Sequence, residues 1–562
     1  MLNFFKSAGL FVFLIAPFLA SSQIRIGRVD SVKDAAGVVC TYIGEIKNNK
    51  PNGRGMLMYP ENKDAIRLTG YFVNGLANGP GLLLFSESVT SCRFLNGKPD
   101  GKVTFKNNSA FGTETFVKAK SNGKVISVKN DNTISFYSTR EGIINGPDLY
   151  VSDSGETIYH KRYVNGVQTG SYIQYQVEDN KLFEGYWKNG KWIKQNITFK
   201  SLLKDLRFKG FKNDKAQGMG IFNKNNMFID TGFLIGADGR ERYFGLFKDG
   251  QFTSGVLING NLVFVGNLKA GKADGFCSIM QRSVSFYNGN FKDDVLNDSL
   301  CTFLNLENGT TYIGNAVNGV FEGKGMSSTA SNVLFIGSYR QNNLDGECVK
   351  VFPSGYNITA NWSKDSLVEV ISAADANGNS INFSPQNIEE GILTLASHAD
   401  QLKVFNLYLR SVKEYQYYRP EDVIENYINE SYFKLPGSEY NEVITRLEKN
   451  PQLGFSPEQK EYFISTMKSG ADSATALRYY EELTGKLKQM QFVIKPGSNP
   501  VLLAEKKMPY TSGVACTLFE FPGGAGLSRN VTVQASVLNT SMGKNSYSVV
   551  LLIRTGDVQF FK

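Results

Sequence analysis

Tyr42-Ile43-Gly44-Glu45-Ile46-Lys47-Asn48-Asn49-Lys50-Pro51-Asn52-Gly53-Arg54-Gly55, followed by the apolar run Met56-Leu57-Met58-Tyr59 and the polar break Pro60-Glu61-Asn62, is the stretch whose reading decides the fold. Short apolar runs bounded by Gly, Pro and Asn read as strands, and two runs so joined read as one β-hairpin. Degraded copies of the same stretch fill more than half of the 562-residue chain.

The second copy begins at Leu68-Thr69-Gly70-Tyr71 and continues through Val73-Asn74-Gly75 to Asn78-Gly79-Pro80-Gly81. A third carries Arg93-Phe94-Leu95-Asn96-Gly97 and Asp100-Gly101, so the period lies in the low twenties. From there to about residue 205 the match loosens, with Asn122-Gly123, Asn145-Gly146, Asn165-Gly166 and Asn189-Gly190 marking turns that favour positive φ. It sharpens at Phe208-Lys209-Gly210 and Phe244-Gly245-Leu246, and the stretch Phe228 to Arg242 reads as an insertion that widens one loop. Gly245, Gly266, Gly289, Gly314 and Gly337 then recur at gaps of roughly 21 to 25 residues, the mark of a repeat array. About thirteen units fit between Tyr42 and Phe352.

The pattern aromatic-x-Gly, then Asn/Asp-Gly, then Gly-x-Gly and a short strand resembles the MORN repeat family. Tyr42-x-Gly44-Glu45 with Gly53-x-Gly55, and Tyr312-x-Gly314 with Gly323-x-Gly325, match best, and the likeness covers about 320 residues. The segment from Tyr163 to Trp192 looks more like bacterial variants of such repeats, whereas units near Lys118 to Asn132 and Phe228 to Tyr243 depart from the pattern. The resemblance implies successive hairpins stacked into one long, twisted, single-layer or weakly curved sheet. Stacking suits the physics, because one hairpin cannot bury its apolar face alone. The aromatic of each unit is expected to pack on the equivalent aromatic of the next, with the glycines admitting close backbone approach.

Three cysteines stand where other units place the second glycine of Gly-x-Gly: Cys277, Cys301 and Cys348 occupy the slot of Gly55, Gly81, Gly220 and Gly325. Equivalent sites in adjacent two-strand units lie roughly 9 to 10 Å apart. That exceeds disulfide reach. Cys277 and Cys301 are therefore expected to be unbridged small residues in tight slots.

Beyond Phe352 the pattern fades, and Tyr356–Asn361 and Val368–Ser372 read as capping strands. Ser384-Pro385, Arg419-Pro420-Glu421 and Ser456-Pro457-Glu458-Gln459 read as helix starts, which predicts a domain of four or five helices over residues 384–490. The string Tyr415, Tyr417, Tyr418, Tyr427 and Tyr432 is taken as helical packing. From Phe492 the chain reads as strands again, through Cys516–Phe521, Val531–Val537 and Ser548–Ile553. Pro522-Gly523-Gly524-Ala525-Gly526 lacks the Lys-Ser/Thr of a phosphate loop and reads as a turn. The expected fold class is mainly β: an elongated stack of hairpins, then a small α-helical domain and a β-rich C-terminal region.

Lys6 and the apolar run Gly9 to Ala20, followed by Ser21-Ser22-Gln23, read as a secretory signal peptide; the run is too short to span a bilayer. No later segment is apolar enough for a transmembrane anchor. The expected division is 1–22 signal peptide, 23–41 leading segment, 42–355 repeat array, 356–383 capping strands and linker, 384–490 helical domain and 491–562 β-rich domain.

The composition is that of a globular chain, 41% hydrophobic and 20% charged, and its 56 Gly, 40 Phe and 27 Tyr suit many short strands joined by tight turns. A net charge of +9 from 61 basic and 52 acidic residues, without a Lys/Arg block, argues against nucleic-acid binding. Only His160 and His398 are present, which argues against a histidine triad or multi-histidine metal site. Asp100, Asp249, Asp274 and Asp345 fall at turns, where turn chemistry explains them. Asn196-Ile197-Thr198 and Asn308-Gly309-Thr310 are sequons, and Asp298-Ser299-Leu300, Asp365-Ser366-Leu367 and Asp472-Ser473-Ala474 resemble bacterial O-glycosylation acceptors. No catalytic, cofactor-binding or metal residue is assigned. The expectation is an exported (periplasmic, outer-surface or secreted), non-enzymatic scaffold for a protein or cell-envelope partner. The alternatives are a carbohydrate- or surface-binding module using Tyr186, Trp187 and Trp192, a carboxylate-based glycoside hydrolase, and an array serving as a spacer for an active helical domain.

Overall fold

The computed structural model describes residues 24–152, 157–176, 181–193, 208–212, 216–222, 224–225, 227–399, 401–405, 412–419, 422–449, 458–489, 506–507, 513–521, 531–539 and 546–555. The N-terminal apolar run, the sequon at Asn196, the strand expected at Phe492 and the Pro522–Gly526 turn lie outside these residues.

The repeats form strands as expected, in two sheets of seventeen strands each, Arg25 to Ile193 and Phe208 to Ala374. Within each, sequence neighbours pair antiparallel, so that hairpin follows hairpin without crossovers. The hairpin turns carry two left-handed residues in a row, as at Asn48 and Asn49 (φ 52° and 56°) or Asn318 and Gly319 (φ 52° and 82°). This is the conformation whose twist matches the flanking strands. Most of these turns are also tied to the preceding unit: the Gly75 N–H donates to the Pro51 carbonyl and that of Gly319 to Leu296. Where the second turn residue is Asn or Asp its side chain adds a bond, Asn342 Oδ1 accepting from the Phe321 N–H at 2.7 Å and Asp365 Oδ1 from Leu344 at 2.7 Å.

The glycines of the repeat align into a row across the strands. Gly44 pairs with Gly55, Gly55 with Gly70 and Gly70 with Gly81 in the first sheet. In the second, Gly245 pairs with Gly255 and Gly314 with Gly325, while Cys277 pairs with Gly289, Cys301 with Gly314 and Cys348 with Gly337. The three cysteines hold the register position assigned to them and are free thiols. The row also absorbs the supposed insertion at Phe228. Phe228–Gly236 is an ordinary strand whose Gly232 pairs with Gly220 and Gly245. Its unit is disguised because Asp230 stands where an aromatic precedes the glycine.

Aromatic packing is staggered, not equivalent-to-equivalent. Tyr42 meets Phe72 edge-on at 5.0 Å, Tyr312 meets Tyr339 at 4.9 Å and Phe335 meets Trp362 at 5.9 Å. In each pair the ring two residues before the row leans toward the ring two residues after it in the next unit. The glycine slot permits this: a Cβ on Gly55 would fall 2.1 Å from Tyr42 Oη. Strand pairs bulge beside the row, and Tyr42 Oη donates to the Glu45 carbonyl there at 2.9 Å, as Tyr312 Oη does to Asn315 at 2.8 Å.

The single layer implied by the resemblance is replaced by two layers. The chain runs out along the first sheet and returns along the second, face to face with it. Ile43, Met56, Leu82 and Phe111 of the first sheet share one buried core with Phe244, Phe286, Ile313 and Met326 of the second. Hydroxyl pairs cross the same interface, Ser91 with Thr302 at 2.7 Å and Thr104 with Ser278 at 2.8 Å. Arg67, almost wholly buried, donates to the carbonyls of Thr329 (2.7 Å) and Gly309 (2.6 Å) on the opposite sheet. Stacked hairpins still expose one apolar face, and a second array of the same kind covers it.

Past the array, the described residues of 384–490 hold two α-helices where four or five were expected: α1 (Ile388–Ser397) and α2 (Ser473–Gln489). Between them lie the strands Val412–Arg419, Asp422–Glu430, Tyr440–Lys449 and Glu458–Ala471. Alternation such as Tyr415 and Tyr417 is a strand period. Helix-start signals at Arg419-Pro420 and Ser456-Pro457 instead precede strands, so local capping chemistry was outweighed by sheet pairing. The short strand Lys506–Lys507 with Gly513–Phe521, Val531–Asn539 and Tyr547–Thr555 completes an eight-stranded antiparallel sheet in which the last strand pairs with Glu458–Ala471. α2 lies on this sheet, Tyr480 Oη against Thr517 Oγ1 at 2.5 Å. One core continues from the second array, through α1, into this sheet.

Candidate functional site

The surface features follow from the repeat. Beside the successive turns from Asn74 to Gly166 stands an aliphatic residue that the sandwich leaves in solvent: Val73, Leu95, Val117, Ile143, Val164 and Val167 along the first sheet, each close to half exposed. Val295 and Val317 continue the series on the second. Isolated exposed aliphatics are common, but a row repeated unit after unit makes an extended apolar edge.

A second feature is a groove on the outer face of the second sheet. Its aromatic wall is a ladder: Tyr287 lies 4.8 Å from Phe303, Phe303 5.4 Å from Phe321, and Phe321 stacks on Tyr312 at 3.9 Å. Asn342 and Asp365 stand on its rim, both engaged in the turn bonds described above. The rings mostly pack on each other; Tyr312, Phe335 and Tyr339 are buried.

Two of the three aromatics singled out in the sequence come together at the end of the first sheet, while Tyr186, next to Trp187 on its strand, faces the other way. Trp187 and Trp192 face each other across a hairpin at 5.6 Å, with Tyr172 on Trp192 at 5.3 Å. Trp192 is 44% exposed, whereas Trp187 and Tyr186 are half-buried. Of the tyrosines beyond the array, Tyr432 is packed against Phe405 and Phe383 at the margin of the core.

The titratable residues disperse. His398 caps α1, its Nδ1 2.8 Å from the Thr394 carbonyl, and its ring packs on Tyr356 and Phe405. His160 lies in the first array. Asp249 sits in a turn with φ 50°, and Asp345 faces Arg340 at 3.7 Å. Among the described residues no group of three or more His, Cys, Asp or Glu could hold a metal. Burial pushes the Cys92 and Cys301 thiols up to about 12 and those of Cys40 and Cys348 to about 11, the behaviour of packing residues. What the sequence did not disclose is the aliphatic edge, because an exposed Val beside a turn looks like any strand residue until the strands are in register.

The model of the MORN repeat matches residues 42–62, 69–88 and 335–355. With the hairpin register and the glycine row, these matches show that the chain carries MORN repeats in both arrays. Such repeats are in general modules of protein or membrane interaction. No curated protein matches the chain. Among the described residues no helix is long and apolar enough to cross a membrane.

Proposed function

We propose that the protein is an exported, non-enzymatic scaffold whose folded-back array presents its turn edge to a protein partner in the cell envelope. The observation that carries this reading is the row of exposed aliphatics from Val73 to Val167. Their regular spacing supplies an apolar strip on a rigid frame, with most of the aromatic side chains committed to internal packing. The signal-like N-terminus supports export.

The test uses the full chain. Val73→Asp, Leu95→Asp and Val117→Asp combined should abolish retention of a cross-linked envelope partner while leaving the thermal transition in place, since these side chains are exposed. Retention by the triple variant would overturn the role of the edge, and an N-terminus that is not cleaved near Gln23 would overturn export. Carbohydrate binding is the second reading, favoured by the exposed Trp192 against Trp187 and Tyr172. Trp192→Ala would then reduce glycan binding and leave the envelope partner bound.

A further inference from the structure

The face-to-face packing of the arrays opens near Lys102 into a cavity of about 370 Å³. Both sheets contribute. Lys102, Thr115, Lys124 and Ser138 come from the first, Ser254 and Asn267 from the second, and Phe136 and Phe244, edge-to-face at 6.2 Å, lie between them. Among the described residues no carboxylate lines the cavity.

Two features distinguish this cavity from a packing defect. First, the two ammonium groups are placed by aromatic rings: Lys102 Nζ lies 4.5 Å from the centre of Phe276, and Lys124 Nζ 5.7 Å from that of Phe136. Neither lysine has an ion-pair partner among the described residues. Desolvation lowers the Lys102 pKa, although the side chain as a whole is exposed, because its ammonium end reaches into the cleft. Second, the hydroxyls of Thr115, Ser138 and Ser254 and the Asn267 amide converge on the same space without side-chain partners among the described residues. Neutral donors and acceptors of this kind serve a ligand that carries hydroxyls of its own.

We propose that this cleft binds a small hydroxyl-rich anion, a sugar acid or sugar phosphate, with Lys102 and Lys124 on its charged group and the Thr115, Ser138, Ser254 and Asn267 side chains on its hydroxyls. The Phe136 and Phe244 rings supply the apolar wall for the carbon skeleton. The cavity volume lies within the range of small-molecule sites and excludes a long polymer from the interior. The inference does not rest on the turn edge, although Val117 of that edge stands two residues from Thr115 on the same strand.

Calorimetric titration of the full mature chain tests it, with glucuronate, glucose 6-phosphate, glucose and inorganic phosphate as the probes. Glucuronate or glucose 6-phosphate should bind at least about tenfold more tightly than glucose, the size expected of a charge-assisted hydrogen bond. Lys124→Gln and Lys102→Gln should each weaken binding by about tenfold or more, and Lys292→Gln, an exposed lysine outside the cleft, should leave it unchanged. Lys124→Gln is read first because the residue is exposed and its loss leaves folding intact, as a thermal melt checks. No binding of either acidic sugar, or binding unchanged in Lys124→Gln, overturns the site. Inorganic phosphate binding as tightly as glucose 6-phosphate overturns the sugar.

Discussion

At Gly55 the whole repeat depends on a missing methyl group. A Cβ there would meet Tyr42 Oη at 2.1 Å and its ring at 2.4 Å, in a ring held by two carbonyls and Phe72. Gly55→Ala should destabilise the protein by about 2–4 kcal/mol in chemical denaturation, through forced displacement of a packed ring. Gly75, with φ +97° and open space around its Cβ position, should cost only about 1 kcal/mol as Ala, from the left-handed backbone alone. Lys350 offers a pH-dependent counterpart. It is buried (6% exposed) with its ammonium 4.8 Å from the Phe352 ring, and burial lowers its pKa from the model-compound 10.5 to about 8. The unfolded chain then holds more protons than the folded one between pH 8 and 10.5, so this residue's contribution to stability rises with pH across that window. Below pH 8 its burial opposes folding by roughly 3 kcal/mol before the ring contact is counted. Lys350→Met should therefore raise the denaturation midpoint at pH 7 and flatten the rise above pH 8.

Among the elements, the hairpins were legible in the sequence and their partners were not. Tyr42-x-Gly44 and Gly53-x-Gly55 announce a strand, a slot and a second strand within a dozen residues, so local chemistry suffices. The packing of one array on the other adds to its apolar core the hydroxyl pairs of Thr69 with Ser328, Ser91 with Thr302 and Thr104 with Ser278, small polar residues that in isolation look solvent-facing. Only the return of the chain buries them. The helices expected at Arg419 and Ser456 fail for a related reason: Pro and Ser make good helix starts, but the strands that follow gain pairing partners up to about a hundred residues away, beyond the reach of local propensity. Of the functional features, Trp187 and Trp192 were visible as residues, whereas the lysine cleft and the aliphatic edge exist only once the strands are in register. Arg67 ties the arrays at several points at once, its guanidinium serving carbonyls of Gly309 and Thr329 and the Asn332 side chain. Arg67→Ala should cost about 2–4 kcal/mol, read as a lowered denaturant midpoint, because it empties the buried space of a large side chain and removes the donor shared by these acceptors.

For the whole molecule, the folded-back path makes each array the solvent shield of the other. Residues 24–193 expressed alone should aggregate or bind a hydrophobic dye, and coexpression with residues 208–374 should restore solubility, because the shared core from Ile43 to Met326 is divided between them. Solubility of the first array alone would mean that the sandwich is not needed for its folding. The return path also brings the beginning of the array to its end: Arg28 donates to the Pro353 carbonyl at 3.1 Å and Asn357 Nδ2 to that of Ile26 at 3.4 Å. Tension applied through the two ends of the array thus enters at one extremity and peels the layers apart contact by contact, at low force. A single-layer array pulled end to end would instead carry the load along its full length.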